Sequence, residues 1–146
     1  MMFRNLIIAF LACFAGIFIS NPLFAQYSDN IQVEVLMKTD TTSIGQKIKY
    51  PKVAEAEVTV FKITMQPGAT TGWHKHDIPL FAYVLQGTLI VEQENGVRKE
   101  FTAGSAVAEM MDEYHLGLNE GKEPLILVAF YLGGDQKPLA IRREDY

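Results

Sequence analysis

Short segments rich in β-branched and aromatic residues, separated by turn signals, recur along this chain and constrain its fold more than any other feature. Asn95-Gly96 is the strongest short hairpin signal, and Gln86-Gly87 and Ala103-Gly104 mark further turns. The predicted strands are Ile31 to Met37, Val58 to Met65, Phe81 to Leu85, Thr88 to Glu92, Val97 to Phe101, Ala106 to Met110 and Leu125 to Tyr131. Many short strands with regular turns predict an all-β chain, folded as an antiparallel sandwich or barrel.

All 3 histidines of the chain stand at spacings that could close one metal site. His74 and His76 form a His-x-His pair, and the two side chains point the same way if this stretch is extended, because strand side chains alternate between faces. His115 follows on a later strand and could supply a third ligand. Neutral imidazole is the commonest metal ligand in proteins, and three nitrogens with an open position suit a working metal site. We therefore expect His74, His76 and His115 to bind a divalent metal ion.

The histidines and their flanking residues resemble the two motifs of the small single-domain cupins. The first motif reads G-x5-H-x-H-x3-E-x6-G, and the second reads G-x5-P-x-G-x2-H-x3-N. The matching positions are Gly68, His74, His76 and Gly87 in the first motif and Gly104, His115 and Asn119 in the second. The resemblance implies an antiparallel jelly-roll (cupin) barrel, a bound iron, zinc, manganese or nickel ion, and a homodimer.

Three positions depart from the cupin motifs. Leu80 stands at the glutamate of the first motif, and Met110 and Asp112 stand at the proline and glycine of the second. A leucine cannot bind a metal ion, so the expected ligand set is reduced to the three histidines. Losing a carboxylate lowers the affinity for hard ions, and weak or absent metal binding is the alternative.

Strand alternation also predicts the lining of a substrate pocket. If Leu80 faces inward with the histidines, Ala82 and Val84 follow on the same face. Glu113 shares the parity of His115 and is therefore the carboxylate expected nearest to the metal ion, the alternative being a solvated residue at the rim. No residue is assigned a catalytic role, because the sequence shows no Ser-His-Asp set, catalytic cysteine or phosphate-binding loop.

Residues 1–25 read as a secretory signal peptide. A positive start at Arg4 precedes an apolar run from Leu6 to Ile19, and the small residue Ala25 precedes a polar stretch. We expect cleavage after Ala25, a single cupin domain over residues 26–146, and a location in the periplasm or outside the cell. An uncleaved membrane anchor is the alternative. Cys13, the one cysteine, would leave with the signal peptide, so no disulfide could form afterwards.

The charge of the chain limits its partners. The formal net charge is −4 and no basic stretch is present, which disfavours nucleic acid and anionic membrane surfaces as partners. A small molecule is the expected ligand, and the apolar stretch from Ile31 to Met37 could pair with a second copy in a homodimer.

Three functions remain open from the sequence. The first is a metal-dependent enzyme of oxygenase or isomerase type that acts on a small molecule. The second is a non-catalytic small-molecule binding module of the same fold, and the third is a structural domain in which the histidines only pin two strands together.

Overall fold

The computed structural model describes residues 30–144, so the signal peptide predicted for residues 1–25 lies outside the described part. All the strands belong to a compact unit that begins at Glu34. They are β1 (Ala56–Met65), β2 (His74–Lys75), β3 (Leu80–Gln86), β4 (Thr88–Gln93), β5 (Arg98–Thr102), β6 (Ala106–Ala108), β7 (His115–Leu118), β8 (Leu125–Gly134) and β9 (Ile141–Arg142). Between residues 30 and 144 no helix is long and apolar enough to cross a membrane. The prediction of an all-β fold is confirmed.

The strands form two antiparallel sheets that differ in regularity. One sheet has the order β1-β8-β3-β6, and the other has the order β5-β4-β7-β2-β9. In the first sheet β1 and β8 pair without interruption from Ala56 opposite Gly134 to Met65 opposite Leu125. The second sheet depends on much shorter strands, and β2 pairs with β7 through His74 and His115 alone.

The core lies between the two sheets. Leu80, Val84 and Leu127 contribute from the four-stranded sheet, and Leu89 and Val91 contribute from the five-stranded sheet. Because successive strand residues point to opposite faces, the odd-numbered residues of β8 from 125 to 131 are buried while their neighbours are partly or fully exposed. Burial of each large aliphatic side chain stabilises the fold by about 1.5–3 kcal/mol, so this core holds the two sheets together.

Gly87 makes the tight corner between β3 and β4. Its φ is +80°, a conformation that residues with a side chain rarely adopt. A Cβ atom at this position would also come within 3.1 Å of the backbone Cα of Leu125. A glycine is therefore required here both for its backbone conformation and for the close approach of β8.

Six of the seven strands predicted from the sequence overlap observed strands, and the seventh is wrong. Residues 31–37 are exposed and have no strand assignment. Alternating apolar residues favour a strand only where a neighbouring strand can complete the hydrogen-bond ladder. Within residues 30–144 no strand pairs with this stretch.

Candidate metal centre

The fold brings the three histidine side chains into one cluster. His74 belongs to β2, His76 follows that strand directly, and His115 begins the neighbouring strand β7. The ring centroid of His74 lies 4.9 Å from that of His76 and 4.6 Å from that of His115, and the centroids of His76 and His115 lie 5.3 Å apart. His76 and His115 are almost fully buried. The proximity that the sequence predicted for these three residues is therefore present.

Backbone carbonyls fix the orientation of all three imidazole rings. Nδ1 of His74 lies 2.9 Å from the carbonyl oxygen of Gly72, and Nδ1 of His115 lies 2.9 Å from that of Glu113. Nδ1 of His76 lies 2.6 Å from the carbonyl oxygen of Leu139. A carbonyl oxygen can only accept, so each Nδ1 donates its hydrogen and each neutral ring keeps its lone pair on Nε2. Second hydrogen bonds of this kind orient the histidine ligands of metal sites.

Glu109 completes the cluster and was not predicted from the sequence. Its Oε2 atom lies 3.3 Å from Nε2 of His76 and 3.3 Å from Nε2 of His115. The residue follows β6 directly, and its backbone N–H donates to the carbonyl oxygen of Leu80. The carboxylate thus comes from the segment beside Leu80, the position at which the cupin motif has its glutamate. Strand alternation could have identified Glu109, because it stands two residues after Val107, whose side chain points into the core.

The contacts of Glu109 set the electrostatics of the cluster. Burial alone would raise the pKa of Glu109, but the hydrogen bond with His115 and the close contact with His76 lower it well below its ordinary value. Burial likewise opposes ionisation of His115, but the Glu109 carboxylate raises the pKa of this histidine. At His74 burial prevails and lowers the pKa. The carboxylate is therefore ionised at neutral pH and attracts a positive charge to the cluster.

Of the four residues predicted to line the pocket, only Leu80 lines the cavity in the structure. Leu80 lines a cavity beside the histidines, together with Glu109. Ala82 and Val84 are buried in the core on the same face of β3 but do not line this cavity. Glu113 is exposed and lies outside the cavity lining, so Glu109 takes the place that the parity argument gave to Glu113.

The parity argument failed at Glu113 because the chain is not extended there. Residues 111–113 form a bend, and Asp112 has a positive φ of 59°. Strand alternation holds only within the extended strand that begins at His115, and Glu113 lies in the bend before it. The solvated rim position, which was the alternative for Glu113, is the one that the structure shows.

The cluster has the composition and size of a site for one transition-metal ion. One potential ligand atom from each of His74, His76, Glu109 and His115 lies within 4.8 Å of the other three. Ligand bonds of about 2.0–2.2 Å place two ligands of one ion at most about 4.4 Å apart, so small side-chain adjustments suffice. Nε2 of His76 is buried without a well-directed hydrogen bond, which fits a nitrogen that awaits a metal ion. Three nitrogens and one oxygen suit iron, zinc, manganese and nickel.

Sequence and structure comparisons agree on the type of fold. The family described as the Cupin domain matches residues 61–131, which include all four residues of the cluster. No curated protein matches the chain.

Three solved structures illustrate the likeness. A cupin-like protein from Thermotoga maritima is 20% identical over 59% of this chain and 64% of its own, with a TM-score of 0.54. The DMSP lyase DddQ from Ruegeria pomeroyi is 14% identical over 58% of this chain and 42% of its own, with a TM-score of 0.50. A cupin domain from Bordetella pertussis is 22% identical over 60% of this chain and 99% of its own, with a TM-score of 0.48.

The likenesses to the Thermotoga and Ruegeria proteins support the fold and no particular activity. The matched region spans less than two thirds of the Thermotoga and Ruegeria proteins. The jelly-roll architecture that the sequence resemblance implied is confirmed.

Proposed function

We propose that this chain, a small member of the cupin family, binds one divalent metal ion through His74, His76, His115 and Glu109 and that the bound ion interacts with a small molecule. The three histidines were predicted as ligands from the sequence. The contacts of Glu109 support adding it as the fourth.

One observation carries this proposal. The Nδ1 atoms of His76 and His115 donate to carbonyl oxygens, so the lone pairs of their Nε2 atoms face the Oε2 atom of Glu109 at 3.3 Å. An ionised carboxylate also offers only lone pairs. Lone pairs at this distance repel each other unless a proton or a metal ion lies between them. A proton bridges one histidine nitrogen at most to this oxygen atom, as in the contact of Nε2 of His115 with Glu109, and Nε2 of His76 is then left without a partner. A divalent ion satisfies several of these atoms at once.

A bound ion of this kind supplies Lewis acidity and coordination positions for a substrate or dioxygen. The residues of this chain hold the ion, and Leu80 and the other apolar residues of the cavity limit the access of water. We propose an enzyme of the oxygenase or isomerase type on this basis.

A non-catalytic binding module is the second candidate function. Glu109 is the one carboxylate among the described residues that line the cavity, and as a metal ligand it is not free to act as a general base. The absence of a separate base in this lining favours binding without turnover. Incubation of the metal-loaded protein with a panel of small organic molecules, with and without dioxygen, distinguishes the two candidates, because only an enzyme converts its ligand.

The test of metal binding is elemental analysis of the natively purified protein, followed by calorimetric titration of the metal-free protein. We expect about one zinc, iron, manganese or nickel ion per chain. A native protein without metal, together with no heat of binding for these ions at millimolar concentration, would contradict the proposal.

We propose further that the protein is exported, with cleavage after Ala25 and residues 26–146 as the mature cupin domain. The support is the charge and apolar pattern of residues 1–25. The intact mass of the native protein tests this, because a full-length mass in the membrane fraction would indicate an anchor.

We also propose a homodimer. The outer face of the four-stranded sheet exposes Val58, Val60, Leu85 and Phe130, and an exposed apolar surface of this kind is typical of an interface. β1 is in addition an edge strand, so its outer side can accept a strand from a second copy. Light scattering at micromolar concentrations tests the dimer, and a monomeric mass throughout would exclude it.

A further inference from the structure

The cavity beside the histidine cluster has an apolar wall opposite the histidines and Glu109. Its volume is about 50 Å³, enough for a few water-sized molecules. The apolar residues of this wall come from four strands of both sheets and are Ile63, Met65, Leu80, Leu89, Leu127 and Ala129. A ligand that enters the cavity meets the cluster with one end and these side chains with the other.

The charges around the cavity can neutralise one anionic group of a ligand but not a second one. Glu109 is the only charged residue in the lining apart from the histidines, and no lysine or arginine of the described residues contributes to it. A divalent ion held by three neutral imidazoles and one carboxylate leaves a net charge of about +1, which one anionic ligand group neutralises. A second charged group would face aliphatic carbon without a partner, which is costly.

The remaining polar groups of the wall do not change this balance. Oγ1 of Thr71 accepts the backbone N–H of Gly117 at 2.8 Å and donates to the carbonyl oxygen of Gly72 at 3.1 Å. Tyr131 contributes a phenol, which carries no positive charge in either protonation state. Neither side chain offers a positive charge to a ligand.

Gly117 keeps part of this cavity open. A Cβ atom at this position would lie 3.3 Å from Cγ2 of Thr71 and 3.4 Å from Cδ1 of Leu89, two residues of the lining. Gly117 shares the inward parity of His115 on β7. The length of ligand that fits therefore depends on the missing side chain at this position.

We propose that the metal-loaded site selects compact ligands with a single anionic metal-binding group on a short uncharged aliphatic body, and rejects ligands with a second charge at the far end. This selectivity depends on the metal site proposed above. It follows from the aliphatic wall, the lack of a cationic side chain in it and the small volume of the cavity.

Butyrate and succinate provide the direct test, because both have four carbons and succinate carries a second carboxylate at the far end. Titration of the zinc-loaded protein should show butyrate binding at least about tenfold more tightly than succinate. In the series acetate, propionate, butyrate, affinity should rise about fourfold per methylene group, and it should fall at hexanoate, which exceeds the cavity. The metal-free protein should bind none of them measurably.

Two variants sharpen the test. Gly117→Ala narrows the cavity and should lower the affinity for butyrate more than that for acetate. Leu116→Ala, on the opposite face of the same strand, is the matched control and should leave both affinities unchanged. Succinate binding as tightly as butyrate, or affinity independent of chain length, would overturn the inference while leaving metal binding intact. Failure to bind zinc is detected before any carboxylate is added and would overturn both proposals.

Discussion

The two walls of the cavity are built in different ways. The apolar wall rests mainly on β1, β3 and β8, where β1 and β8 pair through ten residues each without a break. The polar wall belongs to the ligand cluster, which rests on the two-residue strand β2, on the first residue of β7 and on Glu109, which lies just beyond β6. Long ladders hold aliphatic side chains in a fixed register, whereas strand ends can bring together ligands that are distant in sequence.

This difference separates stability from binding. The aliphatic residues are the larger part of the buried core and supply most of the hydrophobic free energy. The ligand cluster buries polar groups, which gain little stability without a cation between them. We therefore expect substitutions in the apolar wall to change the free energy of unfolding, and substitutions in the polar wall to change the affinity for metal.

The largest expected effect lies in the apolar wall. Leu127→Ala removes a buried side chain of β8 and should lower the free energy of unfolding by about 2–5 kcal/mol, from lost burial and from the cavity left behind. Denaturant unfolding of the metal-free protein measures this loss. Zinc affinity of the folded variant should stay within about twofold of the parent, and a large loss of affinity would show that the two walls are not separable.

The next effect lies in the polar wall. His115→Ala removes one ligand and should weaken zinc binding by about 100-fold or more, since changes to the residues that support a metal ligand already cost about 10–100-fold. Calorimetric titration measures the affinity, and circular dichroism should show an unchanged β-fold. Leu116→Ala is again the control, because the side chain next to His115 points away from the cluster. Equal zinc binding by His115→Ala and the control would remove His115 from the ligand set.

Glu109 is the residue that most directly tests the fourth ligand. Glu109→Gln keeps the size of the side chain but removes its charge, and zinc affinity should fall by about 10–100-fold. Glu113→Gln is the matched control, because this exposed carboxylate lies outside the cluster and its loss should leave the affinity unchanged. The opposite ranking would restore the role that strand parity assigned to Glu113.

A double variant tests whether a carboxylate at position 80 can replace the one at position 109 as a metal ligand. Leu80 lies beside Glu109 through a backbone hydrogen bond, and both line the cavity. Replacing Glu109 by leucine should abolish tight zinc binding. Adding Leu80→Glu to that variant should restore most of the affinity, because the carboxylate then stands at the position of the cupin motif. No recovery would mean that β3 cannot deliver a carboxylate to this ion.

The same contrast between long and short strands explains how much the sequence could predict. β1, β3, β4 and β8 contain runs rich in apolar and β-branched residues, and the turn signals Gly87 and Asn95-Gly96 mark the ends of two of them. The histidines were predictable because their spacing matches two motifs. Asn119 also stands at a motif position. In the structure its side chain donates to the carbonyl oxygens of Met65 and Glu123.

The remainder depends on contacts between segments distant in sequence. Glu109 reaches the histidines only because β6 pairs with β3, and no local pattern encodes that pairing. β9 has two residues, too few for alternation to be seen. Residues 31–37 have the alternation of a strand but no partner strand within residues 30–144. Strand patterns thus predict which face of a strand a side chain lies on. The pairing of distant strands determines which side chains come into contact.

The smallest expected effect is the pH dependence of metal binding. A metal ion needs the lone pair on Nε2 of His115, and Glu109 raises the pKa of this histidine, so at lower pH the ion must displace a proton. Zinc affinity should therefore fall as the pH decreases from 8 to 6, by up to about tenfold per unit below the pKa. The pKa of His74 is lowered by burial, so this ring stays neutral and adds no dependence in that range. In Glu109→Gln the group that raises the pKa of His115 is gone, so zinc binding should be weaker but less dependent on pH. An equal pH dependence of zinc affinity in the parent and in Glu109→Gln would show that the Glu109 carboxylate does not stabilise the proton on His115.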